Sequence, residues 1–184
     1  MNPVSIQTSL TEIVRSSVQY GDYILKDGTP STFFVDGRVI TSHPSALTAA
    51  STQILDKIVE VRADAIAGED TGATPIIGAL LVLAELKNVP LQGAYIRKTQ
   101  KNHGVSGLLT TSVRAGSRYV LIDDVSSSGD TLIRCAEFLR GLGAEIVLAI
   151  SILDRQRGAD IRLREIGVPL FSLFQINEIN QTDS

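Results

Sequence analysis

The 184-residue chain has little of several residue types, and each shortage excludes a class of protein. A single cysteine, Cys135, excludes an intrachain disulfide and a metal site built from several thiolates. With only two histidines, a metal held by protein nitrogen or sulfur is not expected. The most apolar stretch, residues 73–84, is shorter than the roughly 20 residues that a membrane helix needs. We therefore expect a soluble protein of the reducing cytoplasm, without membrane association.

Positive charge is also scarce, because the formal net charge is -3. Proteins that bind nucleic acid or anionic membranes through their overall charge are usually basic. We expect neither as a partner. A chain of this length with 43% hydrophobic residues can bury the core of one domain, and we expect a single domain.

The first third of the chain predicts a helix, a pair of strands and a second helix. Apolar residues recur at helical spacing over residues 6–20. Two β-like pieces, 23–25 and 32–36, flank a turn rich in glycine and proline and predict a two-stranded unit. Pro44 is expected to begin a helix that runs to about Val61, with Ser42 as its candidate cap.

From Asp64 onward the pattern alternates between strand, loop and helix, which is typical of parallel βαβ units. The predicted strands are 65–67, 91–96, 118–122, 145–152 and 170–174. Ligands of such sheets bind beyond the carboxyl ends of the strands. The polar loops that follow strands, and should meet at that edge, are 68–72, 97–107, 123–131 and 154–158.

The most informative segment runs from Val120 to Leu132. An apolar run ends in two adjacent carboxylates, Asp123 and Asp124, which we call the acid pair. A phosphate segment rich in hydroxyls follows and leads into a helical pattern; its residues are Val125, Ser126, Ser127, Ser128, Gly129, Asp130 and Thr131. A helix N-terminus stabilises an anion there without any lysine. The acid pair would repel phosphate, so it suits vicinal hydroxyls or a divalent cation bound to phosphate.

Three alternative interpretations of this segment can be tested against its residues. A Walker loop needs a lysine after its last glycine, and none follows Gly129; a dinucleotide fold places its glycines and its acid elsewhere. An ordinary helix cap explains one hydroxyl but leaves the acid pair unexplained. The segment resembles the phosphoribosyl-diphosphate (PRPP) motif of type I phosphoribosyltransferases. That resemblance implies that the acids bind the ribose 2′- and 3′-hydroxyls and that the phosphate segment binds the 5′-phosphate.

The resemblance also implies the fold. Type I phosphoribosyltransferases are α/β proteins with a central parallel sheet flanked by helices and a small N-terminal hood. Residues 1–40 would form mainly the N-terminal helix and hood, and residues 41–184 mainly the α/β core.

A second informative segment, the basic loop at 97–107, concentrates positive charge. Five lysines or arginines and no acid lie between Arg97 and Ile122. We expect a mobile loop that closes over a highly charged anion, although a solvated hairpin tip would also explain the charges. The pattern resembles the catalytic loop of orotate phosphoribosyltransferases. The resemblance implies that Arg97, Lys98, Lys101 and His103 neutralise the PRPP diphosphate, and that a homodimer shares this loop between subunits.

Two further matches concern the base. The hood motif, with Lys26, Phe33 and Phe34, resembles the family's segment near orotate and the diphosphate. The motif at 153–158 resembles the loop whose arginine, here Arg155, reaches the orotate carboxylate; a surface salt bridge with Asp154 or Asp160 is the alternative. The resemblance therefore implies an orotate site formed by Lys26, Phe33, Phe34, Ser127 and Arg155. The loop that contains Glu69 and Asp70 carries more negative charge than is expected beside a diphosphate. The roles of these two residues stay open.

These resemblances together imply the activity of orotate phosphoribosyltransferases, which form orotidine 5′-phosphate and diphosphate in pyrimidine synthesis. Its catalytic residues would be Lys98, Lys101, His103, Asp123 and Asp124. Mg²⁺ would be bound mainly through PRPP, with no firm protein ligand. The alternatives are a phosphoribosyltransferase for another nucleobase and a regulatory protein that binds a nucleotide in a PRPP pocket.

Overall fold

The computed structural model describes residues 3–25, 28–98, 109 and 111–180. Its elements, in chain order, are α1 (Pro3–Ser16), β1 (Val18–Ile24), β2 (Pro30–Val35), α2 (Gly37–Thr41), α3 (Pro44–Glu60), β3 (Ala65–Glu69), α4 (Thr74–Leu86), β4 (Gln92–Ile96), β5 (Arg118–Ser126), α5 (Asp130–Gly141), β6 (Glu145–Asp154), α6 (Ala159–Glu165), β7 (Leu170–Gln175) and α7 (Ile176–Asn180). None of the helices within these ranges is long and apolar enough to cross a membrane.

A parallel five-stranded sheet forms the centre of the protein, with the strand order β4-β3-β5-β6-β7. Helices cover both of its faces, which explains why its strands are almost continuously apolar. Val120 and Ile122 pack towards α1, α3 and α4, whereas Tyr119 and Leu121 pack towards α5 and α6. The α/β fold with a central parallel sheet, expected from the sequence, is confirmed.

The two-stranded unit is an antiparallel pair, β1 and β2, which forms the hood. The first helix is shorter than predicted, because it ends at Ser16 and not near Tyr20. The Ser17 hydroxyl donates to a carbonyl of the last helical turn at 2.6 Å, and Val18 already pairs with Val35. Pairing with a distant strand therefore overrides the helical periodicity of these residues.

Two short helices, α2 and α7, are not predicted from the sequence, because five residues are too few to show a helical period. The carboxylate of Asp36 accepts the amide N–H of Arg38 at 3.0 Å and begins α2. The expectation that Ser42 caps the next helix is wrong. Ser42 is instead the residue at which α2 ends, and His43 precedes Pro44 at the start of α3.

Two central strands extend further than predicted, which changes where the acid pair lies. β5 continues to Ser126 and β6 to Asp154, and the two strands remain paired up to those residues. The acid pair therefore lies on a strand held by a neighbour, and not on a free loop. Its carboxylates are positioned by the sheet itself.

The sheet core predicts a clear difference in stability between two isoleucines. Ile150, on β6, is 0% exposed, whereas Ile161, on α6, is 58% exposed. Ile150→Ala is expected to lower the free energy of unfolding by about 3 kcal/mol, because it removes buried methyl groups and leaves a cavity. Ile161→Ala is expected to change it by about 0.5 kcal/mol or less. Urea unfolding of both variants checks this; equal losses would contradict the packing described.

Candidate active site

A cleft of about 570 Å³ opens at the carboxyl edge of the sheet. The hood forms one wall; the end of β5, the start of α5 and the loop after β6 form the other. Its lining residues are Ile24, Leu25, Phe34, Asp123, Val125, Ser126, Ser127, Ser128, Gly129, Asp130, Thr131, Leu132, Arg134 and Arg155. The cleft thus joins the predicted phosphate segment to part of the predicted orotate site.

The acid pair is held against two glycines. A Cβ atom at Gly37 would lie 2.0 Å from Oδ2 of Asp124, and one at Gly72 would lie 2.5 Å from Oδ1 of the same residue. The Gly72 position would also lie 3.2 Å from Oδ1 of Asp123, so both carboxylates face this glycine. Only residues without a side chain leave room for the Asp124 carboxylate here.

Hydrogen bonds from the strand fix the two carboxylates further. The Asp124 amide donates to Oδ1 of Asp123 at 3.0 Å, and the Val125 amide donates to Oδ1 of Asp124 at 2.8 Å. Burial is the largest cause that raises the pKa of Asp123 well above its usual range, and the neighbouring charge of Asp124 raises it further. The site therefore disfavours two negative charges until a hydroxyl or a cation approaches them.

The phosphate segment turns sharply into α5 at Gly129. This residue has a φ of +82°, and a Cβ there would lie 3.2 Å from Cα of Ala159. Both the left-handed backbone and the close approach favour glycine. The first N–H groups of α5 have no partner within their helix and are available to an anion.

One predicted member of this segment is engaged elsewhere. Asp130 accepts a hydrogen bond from the Ser128 hydroxyl at 2.7 Å and pairs with Arg162 at 2.5 Å. These contacts, led by the Ser128 hydrogen bond, hold the pKa of Asp130 below its usual range. Because Arg162 compensates its charge, Asp130 can occupy the first turn of α5 beside an anion site.

A row of serine hydroxyls crosses strands β5, β6 and β7, with the first two buried and the third half-buried. The Ser126 hydroxyl donates to Asp154 at 3.0 Å and lies 3.0 Å from the Ser151 hydroxyl, which lies 2.8 Å from that of Ser172. Asp154 also accepts the amide of Gln156 at 3.0 Å. These contacts fix the phosphate segment and the Arg155 loop relative to each other.

Arg155 reaches back to the hood and is only 8% exposed. Its guanidinium lies 4.8 Å from the ring centroid of Phe33 and donates to the Ser31 hydroxyl at 3.2 Å and to the Phe33 carbonyl at 3.3 Å. A buried, stacked arginine is not the surface side chain that the alternative interpretation requires. Its position places a cation at the hood side of the cleft.

The loop after β3 approaches the same edge of the sheet. The carboxylate of Glu69 accepts two hydrogen bonds from Arg134, one of them 3.1 Å long, and lies 3.7 Å from the ammonium of Lys98. Asp70 accepts the Thr74 hydroxyl at 2.8 Å at the start of α4, and its amide donates to the end of β4. Asp70 therefore holds its own loop in place.

Known proteins resemble this chain both in sequence and in structure. Residues 40–168 match the model of the phosphoribosyl transferase domain family. An orotate phosphoribosyltransferase of Rhodopseudomonas palustris is 31% identical over 97% of this chain and 98% of that protein. The chain belongs to the orotate phosphoribosyltransferase family. It is thus a phosphoribosyl-transferring enzyme by descent, and the resemblance drawn from its motifs is confirmed.

Solved structures support the fold. The Aeropyrum pernix orotate phosphoribosyltransferase superposes with a TM-score of 0.72 at 30% identity, covering 92% of this chain and 95% of that one. The Mycobacterium tuberculosis orotate phosphoribosyltransferase in complex with PRPP gives a TM-score of 0.77 at 20% identity, covering 96% of this chain and 99% of that one. The latter is evidence for the fold alone.

The predicted site residues divide into three groups. Phe34, Arg155, Asp123 and the phosphate segment line one cleft, and Phe33 lies under Arg155. Asp124, Arg97 and Lys98 are within the described residues but do not line that cleft. Lys26, Lys101 and His103 lie outside the described residues.

Arg134 lines the cleft but is missed by reasoning from the sequence. A signal for it exists, because Arg134 follows Asp130 by four residues and Thr131 by three. At helical spacing these side chains share one face of α5. The pairing of Arg134 with Glu69, by contrast, joins residues 65 positions apart and leaves no local pattern.

The raised pKa of Asp123 predicts a gain in stability when its charge is removed. The pKa of Asp123 in the folded state lies above its unfolded value of about 4. The folded state therefore loses stability as the pH rises from the unfolded pKa to the folded pKa. Asp123→Asn is therefore expected to raise the free energy of unfolding at neutral pH. This gain should become smaller as the pH is lowered towards about 4. Urea unfolding between about pH 4 and about pH 8 measures it.

The matched control is Asp56→Asn, which alters an exposed carboxylate on α3. It is expected to change stability little at any pH in the series. A gain from Asp123→Asn that is the same at every pH would contradict the electrostatic origin.

Proposed function

We propose that this chain transfers the 5-phosphoribosyl group from PRPP to orotate, giving orotidine 5′-phosphate and diphosphate in pyrimidine synthesis. The observation that carries the proposal is the cleft itself. One cleft has a partly buried carboxylate and a helix N-terminus at one side and a buried arginine over an aromatic ring at the other. This arrangement suits a sugar phosphate and a flat, anionic base in contact with each other.

The ribose 5-phosphate would be bound at the end of β5. Asp123 and Asp124 would accept hydrogen bonds from the two ribose hydroxyls, which relieves the repulsion within the acid pair. The phosphate segment, residues 125–131, would hold the 5′-phosphate through its N–H groups and hydroxyls. Binding at both ends of the sugar would fix the position of the anomeric carbon. The Mycobacterium tuberculosis orotate phosphoribosyltransferase, which shares this fold, has itself been solved in complex with PRPP.

The diphosphate would be neutralised by cations from the basic loop. Arg97, Lys98, Lys101 and His103 are the proposed partners, with Lys26 from the hood. Positive groups fixed near the departing diphosphate stabilise its growing charge in the transition state. Asp123 and Asp124 would in turn stabilise the positive charge that develops on the ribose ring.

Mg²⁺ is proposed as the metal that accompanies PRPP. The acid pair offers the hard oxygen donors that Mg²⁺ prefers. Among the described residues, however, no group of three or more acidic, histidine or cysteine side chains is arranged around a metal. The ion would therefore be held mainly by PRPP oxygens, with the acid pair nearby. When bound, it neutralises charge on the diphosphate.

Orotate would be bound between the hood and the phosphate segment. Phe33 and Phe34 belong to the hood side, and Ser127 lies opposite. Lys26 is the further residue proposed to contact orotate. Arg155 would pair with the orotate carboxylate, the group that distinguishes orotate from uracil. A base without that carboxylate would leave the buried guanidinium without its anionic partner.

We further propose a homodimer in which residues 97–107 are shared between subunits, a single domain, and the cytoplasm as location. Family resemblance supports the dimer. Length supports one domain, and the single cysteine supports a reducing compartment.

An absorbance assay separates this reaction from the alternatives. Protein, PRPP, Mg²⁺ and orotate are mixed, and the loss of orotate absorbance is followed; uracil and purine bases are tested in parallel. Consumption of orotate with release of diphosphate is expected. Turnover of another base without turnover of orotate would contradict the proposal. Failure to convert any base, with retained nucleotide binding, would favour a regulatory protein.

Substitution of Arg155 tests the assignment of the base. Arg155→Gln is expected to lower kcat/KM for orotate about 100-fold, because two charge-assisted hydrogen bonds are lost, while KM for PRPP changes little. Arg155→Lys keeps the charge but not the bidentate geometry, and should recover only part of the loss. Arg164→Gln, an exposed arginine on α6, is the control. An equal loss with PRPP and orotate would contradict this role.

A further inference from the structure

The carboxylate of Glu69 is an unexpected group at this edge of the sheet. Glu69 ends β3 and is only 5% exposed. Its charge is one of the causes that raise the pKa of Asp123, so it adds to the repulsion around the acid pair. A negative charge here would also repel a diphosphate. A role that offsets the cost of this buried negative charge is therefore needed to explain an acid at this position.

The two oxygens of this carboxylate have different partners. Oε2 accepts two N–H groups of Arg134, with the Nε bond at 3.1 Å. Oε1 is buried and has no hydrogen bond among the described residues, and the ammonium of Lys98 lies 3.7 Å from it. One oxygen is thus fixed by α5, and the other remains directed to the first lysine of the basic loop.

The three side chains differ in freedom. The side chain of Glu69 is 3% exposed and held by Arg134, whereas that of Lys98 is 61% exposed on a flexible stem. A fixed acceptor restricts a mobile ammonium more effectively than a mobile acceptor does, because only one partner must then be ordered. The arrangement connects the end of β3, the loop after β4 and the helix that follows the phosphate segment.

We propose that Glu69 is a positioning residue for the diphosphate: Arg134 fixes its carboxylate, and its remaining oxygen holds the Lys98 ammonium at the end of β3. The inference rests on the proposed function, in which Lys98 binds the diphosphate of PRPP. A cation placed before the reaction needs no reorganisation when the leaving group gains charge. The repulsion that Glu69 adds is offset by the two cations that it holds.

Binding measurements on variants test this role. Glu69→Gln keeps the shape of the side chain and removes its charge. It is expected to weaken diphosphate binding about tenfold, the effect of one charge-assisted contact, and to leave ribose 5-phosphate binding within about twofold. Calorimetric titration with each ligand alone measures both. Glu145→Gln, which breaks the exposed Arg118 pair at the opposite edge of the sheet, is the matched control.

A double-mutant cycle shows whether Glu69 acts through Lys98. Lys98→Ala alone should weaken diphosphate binding, and Glu69→Gln should add little in that background. Arg134 is exposed, so Arg134→Gln is expected to fold, and it should weaken diphosphate binding only while Glu69 is present. The single variant Arg134→Gln, which leaves Glu69 in place, keeps the test valid if Glu69→Gln lowers the melting temperature.

The outcomes distinguish the positioning role from the reaction itself. Selective loss of diphosphate binding with non-additive effects supports the role, whether or not orotate is consumed. Unchanged diphosphate binding, a parallel loss of ribose 5-phosphate binding, or additive effects of Glu69→Gln and Lys98→Ala would overturn it. If one of these contradicting results is found while the wild-type protein converts orotate, the proposed function stands and only the role of Glu69 fails.

Discussion

Repulsion between two adjacent carboxylates is the constraint on which the rest of the cleft depends. Asp123 and Asp124 lie side by side at the end of a buried strand, and burial raises the pKa of Asp123. The groups around the two carboxylates leave room for them and donate hydrogen bonds to them, in place of close side-chain packing. Gly37 and Gly72 approach the Asp124 carboxylate so closely that any side chain at either position would displace it. The acid pair is thus kept available to a ligand at a cost in stability.

Charges around this pair are compensated one by one. Arg162 neutralises Asp130 at the start of α5, and Arg134 neutralises Glu69 at the end of β3. Each pair involves an arginine on a helix and an acid close to the carboxyl edge of the sheet. The cleft can therefore contain several acids and still bind a phosphorylated, anionic substrate. The hydroxyls of Ser126, Ser151 and Ser172 complete the support without adding charge.

The sequence predicted best where the signal was local. The apolar run of β5, the glycine turn at 129 and the helix that follows are consecutive, and their conformations could be inferred from neighbouring residues. Prediction failed where a distant strand or a short helix decided the outcome. Val18 joins a strand because it pairs with Val35, and Ser42 ends one helix where a cap for the next was expected. The pairing of Arg134 with Glu69 leaves no local pattern, because the two residues are far apart in the chain.

By itself, the sequence determined the α/β class and the resemblance to orotate phosphoribosyltransferases, because each depends on the order of neighbouring residues. Only the tertiary structure decided which glycines approach the acid pair, that Arg155 is buried against the hood, and that Glu69 lies between Arg134 and Lys98. These contacts join elements that are far apart in the chain. Distances across a folded sheet depend on packing and strand order, and a local sequence pattern does not specify either.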